Sequence, residues 1–215
     1  MMLAPAWSAP FACKSLQPSA IWPSSCGRRY KRLDMRAYIY DEASGLPPQD
    51  EHDLNESVTL EQLEKLGVLY WSVDSIDQVN SIAIQRDYKN RDHIVCSPQA
   101  MGDIYQQKLG IFFEEHLHED EEIRWVVDGS GYFDVRDQTD QRWVRIKVEK
   151  GDLLVLPPGI FHRFTVDKDN YIKAMRLFKD EPKWVALNRS SETESNPFRK
   201  AYLEKVGQAM TMSAS

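Results

Sequence analysis

The chain has 215 residues, 42% of them hydrophobic, and a formal net charge of −6. That is enough for one domain with its own core, and the acid excess argues against a nucleic-acid-binding role. Three cysteines without a C-x-x-C pair (Cys13, Cys26 and Cys96) exclude a disulfide scaffold and point to a reducing compartment. No apolar run approaches the ~20 residues that cross a bilayer.

Residues 1–34 differ from the rest. They are rich in Ser, Pro and Ala, and carry Lys14, Arg28, Arg29, Lys31 and Arg32 against a single acid, Asp34. The remainder holds 22 basic and 32 acidic residues. Two readings stand for this extension, which is expected to be disordered. One is a basic, Ser-rich organelle-targeting peptide. The other is an overextended start, with the working protein beginning at Met35. The prolines spoil an amphipathic targeting helix and favour the second. The expected division is an extension over 1–34, one domain over 35–208 and a tail over 209–215.

A short strand is expected over 36–40, followed by a polar loop from Gly45 to Asn55. Thr59-Leu-Glu-Gln62 is a capping box that opens a helix; Leu60, Leu63 and Leu66 form its apolar face and Gly67 ends it. Ile76, Val79 and Ile82 suggest a second helix. From Leu109 the pattern becomes short strands, expected over 109–113, 123–127, 131–136, 143–148, 152–156, 161–166 and 171–178. Turn signals separate them at Asp128-Gly129, Asp137 to Gln141, Lys150-Gly151, Pro157-Pro158-Gly159 and Asp167 to Asn170. Such spacing predicts a mainly β sandwich or barrel. Asn196-Pro197 can open a last helix running to Gly207.

Three of the five histidines, His116, His118 and His162, fall inside the expected barrel. Alternation along a strand puts His116 and His118 on one face. A hairpin after the acidic turn would return Glu122 beside them. An antiparallel neighbour would bring His162 to the same side. Each feature alone is more often bland: a surface His-x-His, a solvated acidic turn, a satisfied histidine. Their conjunction points to one divalent transition metal. Three imidazoles and a carboxylate suit Fe(II), Ni(II), Mn(II), Co(II) or Zn(II) rather than Ca(II) or Mg(II). Four such ligands leave two octahedral positions for a bidentate substrate. His52 reads as solvated in its charged loop, and His93 as a core or hydrogen-bonded residue. Of Glu114 and Glu115, one is expected to face the cavity and one solvent.

Gly110-x5-His116-x-His118-x3-Glu122-x6-Gly129 and Gly151-x5-Pro157-x-Gly159-x2-His162 resemble the two cupin motifs. The second usually closes with Asn, and Val166 stands there. The resemblance implies a cupin double-stranded β-helix, a jelly-roll-like barrel with a few flanking α-helices. Phe113-Glu-Glu-His-Leu-His118, the segments around Tyr132, Phe161 and Met175, Lys65 to Trp71, and Tyr105 to Leu109 resemble acireductone dioxygenase. That resemblance covers about Met35 to Tyr202.

It implies His116, His118, Glu122 and His162 as metal ligands, and iron or nickel as the metal. The implied reaction belongs to methionine salvage. With Fe(II), an acireductone and O2 would give formate and the 2-oxo acid precursor of methionine. With Ni(II), they would give carbon monoxide, formate and methylthiopropionate. The expected partners are this small molecule and O2, with no nucleic acid and no membrane. The expected state is a monomer of cytoplasm and nucleus, organelle targeting being the alternative. Arg124, two residues after Glu122, and Arg176 in a late strand are candidates to steady anionic substrate oxygens. Phe112, Phe164 and Trp184 are candidates for an apolar wall around the methylthio tail. Surface ion pairing and core packing are the competing readings of these residues. Another cupin oxygenase or isomerase, or a non-enzymatic cupin serving as an interaction protein, is the alternative function.

Overall fold

The structure is a computed structural model and describes residues 35–179 and 185–213. The extension over 1–34 and Trp184 therefore lie outside the described residues.

Two antiparallel sheets form the molecule, and one long strand belongs to both. The strands are β1 (Ala37–Tyr40), β2 (Asp53–Ser57), β3 (Leu69–Ser72), β4 (Asn90–Cys96), β5 (His116–Leu117), β6 (Glu122–Arg136), β7 (Trp143–Glu149), β8 (Asp152–Leu156), β9 (His162–Val166), β10 (Ile172–Phe178) and β11 (Leu187–Asn188). One sheet runs β11-β5-β9-β6-β7-β1-β2. In the other, β3 pairs with β8, β8 with β6, β6 with β10 and β10 with β4.

The expected break at Asp128-Gly129 is instead a kink within the 15-residue β6. Gly129 has φ +76°, and a Cβ there would lie 2.3 Å from the Tyr171 carbonyl oxygen. The partner strand β10 continues past the kink, with its register slipping between Lys173 and Ala174. A bulge with a left-handed glycine bends a strand without ending it. Residues before the kink pair with β8 and β10, and residues after it with β7 and β9. One strand thus closes the barrel by crossing between sheets.

The interior is filled by Val126, Phe133, Ile146, Leu154, Leu156 and Val166, among others. A second cluster lies outside β8 and β10. There α2 (Ile76–Gln85) sets Val79, Ile82 and Ala83 against Leu153, Val155 and Leu177. That is why all five residues of β8 are buried: a strand covered on both faces reads as a continuous apolar run. Each fully buried Leu or Val there contributes about 1.5–3 kcal/mol.

The first helix, α1 (Leu60–Lys65), has the expected capping box between Thr59 and Gln62. The strand expected over 109–113 is wrong. Tyr105–Phe113 is a helix, here α4, following the short α3 (Pro98–Met101) and a 3-10 turn at Gly102–Ile104. Tyr105 and Leu109 are buried and Phe112 half-buried, at helical spacing, against β9. That 3.6-residue period outweighs the β-formers Ile111 to Phe113. Gly110 consequently lies within a helix, not in a turn.

Strands β2, β3 and β4 were not anticipated. Strands β2 and β4 are largely polar edge strands, β2 lying on the preceding β1 and β4 on the distant β10 in register from Cys96↔Ile172 to Asn90↔Phe178. The two remaining histidines exchange roles. His52 is buried, stacked on Tyr40 at 4.4 Å, with Nε2 2.8 Å from the Pro47 carbonyl. His93 is exposed on β4. At the C-terminal end, α5 (Ser191–Glu194) precedes α6 (Pro197–Ser213). Asn196 Oδ1 accepts from the Phe198 N–H at 2.8 Å, as an N-cap should, and α6 continues beyond the expected end at Gly207. No described helix is long and apolar enough to cross a membrane.

Candidate metal centre

The four residues singled out from the sequence converge. One ligand atom from each of His116, His118, Glu122 and His162 lies within 4.8 Å of every other. The imidazole centroids are 4.5 Å apart for His116 and His162, 5.2 Å for His116 and His118, and 5.4 Å for His118 and His162. Glu122 Oε2 lies 3.0 Å from His162 Nε2 and 3.1 Å from His118 Nε2.

How they meet differs in part from expectation. His116 and His162 are direct Cα partners between β5 and β9, as an antiparallel neighbour requires. The expected hairpin between β5 and β6 does not form. Glu122 begins β6 in the other sheet, opposite Leu156 of β8, so its carboxylate enters across the barrel rather than from a neighbouring strand.

The outer nitrogen of each ring is committed. His116 Nδ1 is 2.7 Å from the Glu114 carbonyl, His162 Nδ1 is 3.0 Å from Ile160, and His118 Nδ1 is 2.9 Å from Val185. A carbonyl only accepts, so each Nδ1 carries a hydrogen and Nε2 is the ring atom turned inward. Three inward Nε2 atoms and a carboxylate facing one point fit a bound cation, which would take the place of any Nε2 proton, and carbonyl-held Nδ1 atoms are the usual outer support of histidine ligands. Two of the three carbonyls sit two residues before their histidine, a local relation legible in principle from sequence. Val185 has no such signal.

Charge is arranged accordingly. Burial pushes the Glu122 carboxyl up, but Arg124, His118 and His162 outweigh it and hold it well below the usual carboxylate range. Burial and then the neighbouring His162 push His116 down to about 3, leaving that ring neutral and ready to ligate.

A cavity of about 300 Å³ opens onto the four residues and includes Arg124, Arg176, Phe112 and Phe164 in its wall. Arg124 Nη2 is 3.0 Å from Glu122 Oε1, on the same face as alternation predicted. Arg176 stands opposite Arg124 on β10 and is held bidentately by Asp92, at 2.7 and 2.8 Å. Phe164 packs against Phe133 at 4.8 Å and lies 6.3 Å edge-on from Phe112. Ile94 and Cys96 of the unforeseen β4 complete part of the wall. Neither neighbouring glutamate enters the cavity. Glu114 takes the Asn188 amide, and Glu115 binds Arg136 and Arg189.

A β-barrel with three inward imidazoles and a carboxylate at one end is that of a metal-binding cupin. Residues 36–186 match the family model described as the ARD/ARD' family, and the chain belongs to that family. It is 87% identical over 180 residues to the acireductone dioxygenase of Puccinia graminis f. sp. tritici, covering 84% of this chain and 99% of the relative. The acireductone dioxygenase of Phaeosphaeria nodorum is 58% identical over 170 residues, covering 79% and 96%. Among solved structures, the Bacillus anthracis acireductone dioxygenase with a cadmium ion in its active centre superposes with a TM-score of 0.56. It is 23% identical, and the match covers 71% of this chain and 97% of that one; this likeness supports the fold. The chain is an enzyme of this family.

Proposed function

We propose that this chain oxidises an acireductone with dioxygen, using one divalent metal held by His116, His118, Glu122 and His162. The observation that carries the reading is the four-residue convergence with every histidine Nδ1 tied to a carbonyl. A bound divalent metal supplies the Lewis acidity that gathers and polarises neighbouring enediolate oxygens.

The chain's own groups do the rest. Arg124 holds Glu122 as a carboxylate and sets a half-buried positive charge beside it. The same guanidinium is suited to a further anionic oxygen of the substrate. Arg176 has its Nε and Nη2 engaged by Asp92 but still acts on Arg124 as a positive charge, so its part is to add positive potential opposite Arg124 rather than to bind directly. Phe112, Phe133 and Phe164 form the apolar side of the cavity, where they would exclude water and take a methylthio tail. Trp184 remains a proposed part of that wall.

Iron as resident metal, with formate and a 2-oxo acid as products, belongs to this reading. So does nickel, with carbon monoxide, formate and methylthiopropionate. In both, one dioxygen adds two oxygen atoms that are fully accounted for in the products. The place in methionine salvage and the cytoplasmic and nuclear location rest on the family resemblance. A monomeric state is a further proposal. The test is to load the purified chain anaerobically with Fe(II) or Ni(II), supply acireductone, admit dioxygen, and identify products. Rapid substrate loss with these product sets is expected. A chain that retains metal but leaves the substrate at its uncatalysed rate overturns the proposal.

A further inference from the structure

Behind the histidine-bearing segments lies a set of buried charges that substrate chemistry does not use. Phe161, immediately before His162, is fully buried. Two guanidinium groups flank its ring: Arg189 at 4.6 Å and Arg199 at 4.4 Å from the centroid. Arg199 comes from α6, and its side chain is only 1% exposed. Its Nη2 pairs with Asp140 at 2.8 Å, its Nε lies 3.4 Å from Glu194, and its Nη1 donates to the Gly159 carbonyl at 3.3 Å.

Arg189 shares the same anions. It reaches Asp140 at 2.6 Å, Glu194 at 2.7 Å and Glu115 at 2.7 Å. Glu115 immediately precedes His116 and is held from the other side by Arg136, both contacts being 2.8 Å. Arg136 in turn donates its backbone N–H to the Phe161 carbonyl. Gly159, gripped by Arg199, donates its own N–H to the His118 carbonyl at 2.9 Å. Each ligand histidine is therefore one or two bonds from the same ionic group. The family match ends at residue 186, so Arg189, Glu194 and Arg199 lie beyond it.

We infer that Arg189 and Arg199 are positioning residues for the metal centre. By clasping Phe161 and joining Glu115 to Asp140 and Gly159, they fix the segments 114–118 and 159–162 at the spacing that one metal ion needs. The inference rests on the four-residue ligand reading. Packing alone would ask only for apolar groups around Phe161. Instead the site places a buried arginine, Arg199, bonded to the turn before His162, and a half-buried one, Arg189, bonded to the glutamate next to His116. Buried charges of this kind bring little net stability over apolar packing, but a planar guanidinium fixes several partners in one geometry.

The test uses the full chain, stripped of metal and titrated with Co(II), whose absorption bands report ligand geometry. Arg199→Met and Arg189→Met are measured beside the parent and beside Lys150→Met, which removes an exposed cation far from the cluster. Thermal unfolding is followed in each. Folded variants at 189 or 199 are expected to bind Co(II) at least about tenfold more weakly, the usual cost of losing outer support, with displaced bands. Lys150→Met should match the parent. Arg189 is 30% exposed, so its variant carries the test if Arg199→Met does not fold. Parent-like affinity and bands in a folded variant, even one less stable, overturn the inference. A parent chain that binds no Co(II) overturns the ligand reading itself.

Discussion

His116 and His162 face each other as register partners on β5 and β9, their ring centroids 4.5 Å apart and their Nδ1 atoms each tied to the carbonyl two residues back. The same local turn of chain is thus used twice, once from each side of a strand pair. Replacing either ring should open the centre. His116→Ala is expected to lower metal content and turnover together, by at least about 100-fold in affinity, while the barrel stays folded. Metal analysis after gel filtration, alongside circular dichroism, checks this. A variant that kept full metal content and activity would refute the assignment.

Arg124 is the cation nearest the Glu122 carboxylate, and both are half-buried in the cavity wall. Arg124→Met leaves that carboxylate with only the histidines. In metal-free protein the loss should be about 2 kcal/mol, less than for a fully buried pair. Saturating metal should recover part of it, because the ion replaces the missing charge. Urea unfolding with and without Zn(II) measures both values. Equal losses in the two states would mean that Arg124 does not act through Glu122.

Glu115 gives a pH signature. Burial raises its pKa, but hydrogen bonds from Arg136 and Arg189 outweigh burial and lower it from 4.5. A carboxylate depressed in the folded state contributes stability above its unfolded pKa. That contribution is lost as pH falls through the folded value. Glu115→Gln should therefore cost about 2 kcal/mol at neutral pH, as for a charged hydrogen-bond acceptor. The gap should close progressively below about pH 4.5. Denaturation curves at several pH values check this; a gap that widens in acid contradicts the sign.

Gly159 sits at φ +81°, and a Cβ there would approach the Phe198 carbonyl oxygen to 2.3 Å. Gly159→Ala is expected to cost about 2 kcal/mol or more through strain and displacement of α6. Gly45 also has positive φ but opens on free space. Its alanine variant should lose only about 1 kcal/mol of backbone preference. Paired thermal melts separate close approach from conformation alone.

Phe164 touches Phe133 and lies edge-on to Phe112 on the apolar side of the cavity. Phe164→Ala should raise KM for a substrate with a methylthio tail about tenfold, with a smaller change for one lacking the tail. It should also lower stability by about 3 kcal/mol. Steady-state kinetics with both substrates make the comparison. Equal effects on the two would remove Phe164 from the tail site.

What the sequence determined by itself was the donor set and the family. His116-x-His118, Glu122 and Pro157-x-Gly159-x2-His162 are local spacings, and local spacing survives whatever the rest of the chain does. The same is true of the α1 capping box, the apolar run of β8 and the late strands, whose patterns lie in a few consecutive residues. Tertiary structure alone decided how the donors meet. Glu122 arrives from the opposite sheet because β6 bends at Gly129, a bulge that reads in sequence as a turn. Residues 105–113 became helical because Tyr105, Leu109 and Phe112 found a surface at β9, outweighing β propensity. The polar strand β4, which lines the cavity, exists only through pairing with β10. The Val185 carbonyl on His118 and the arginines on Phe161 are long-range contacts. Their residues carry no local pattern, since a hydrogen bond or ion pair between distant segments is specified by the packed barrel and not by neighbours in the chain.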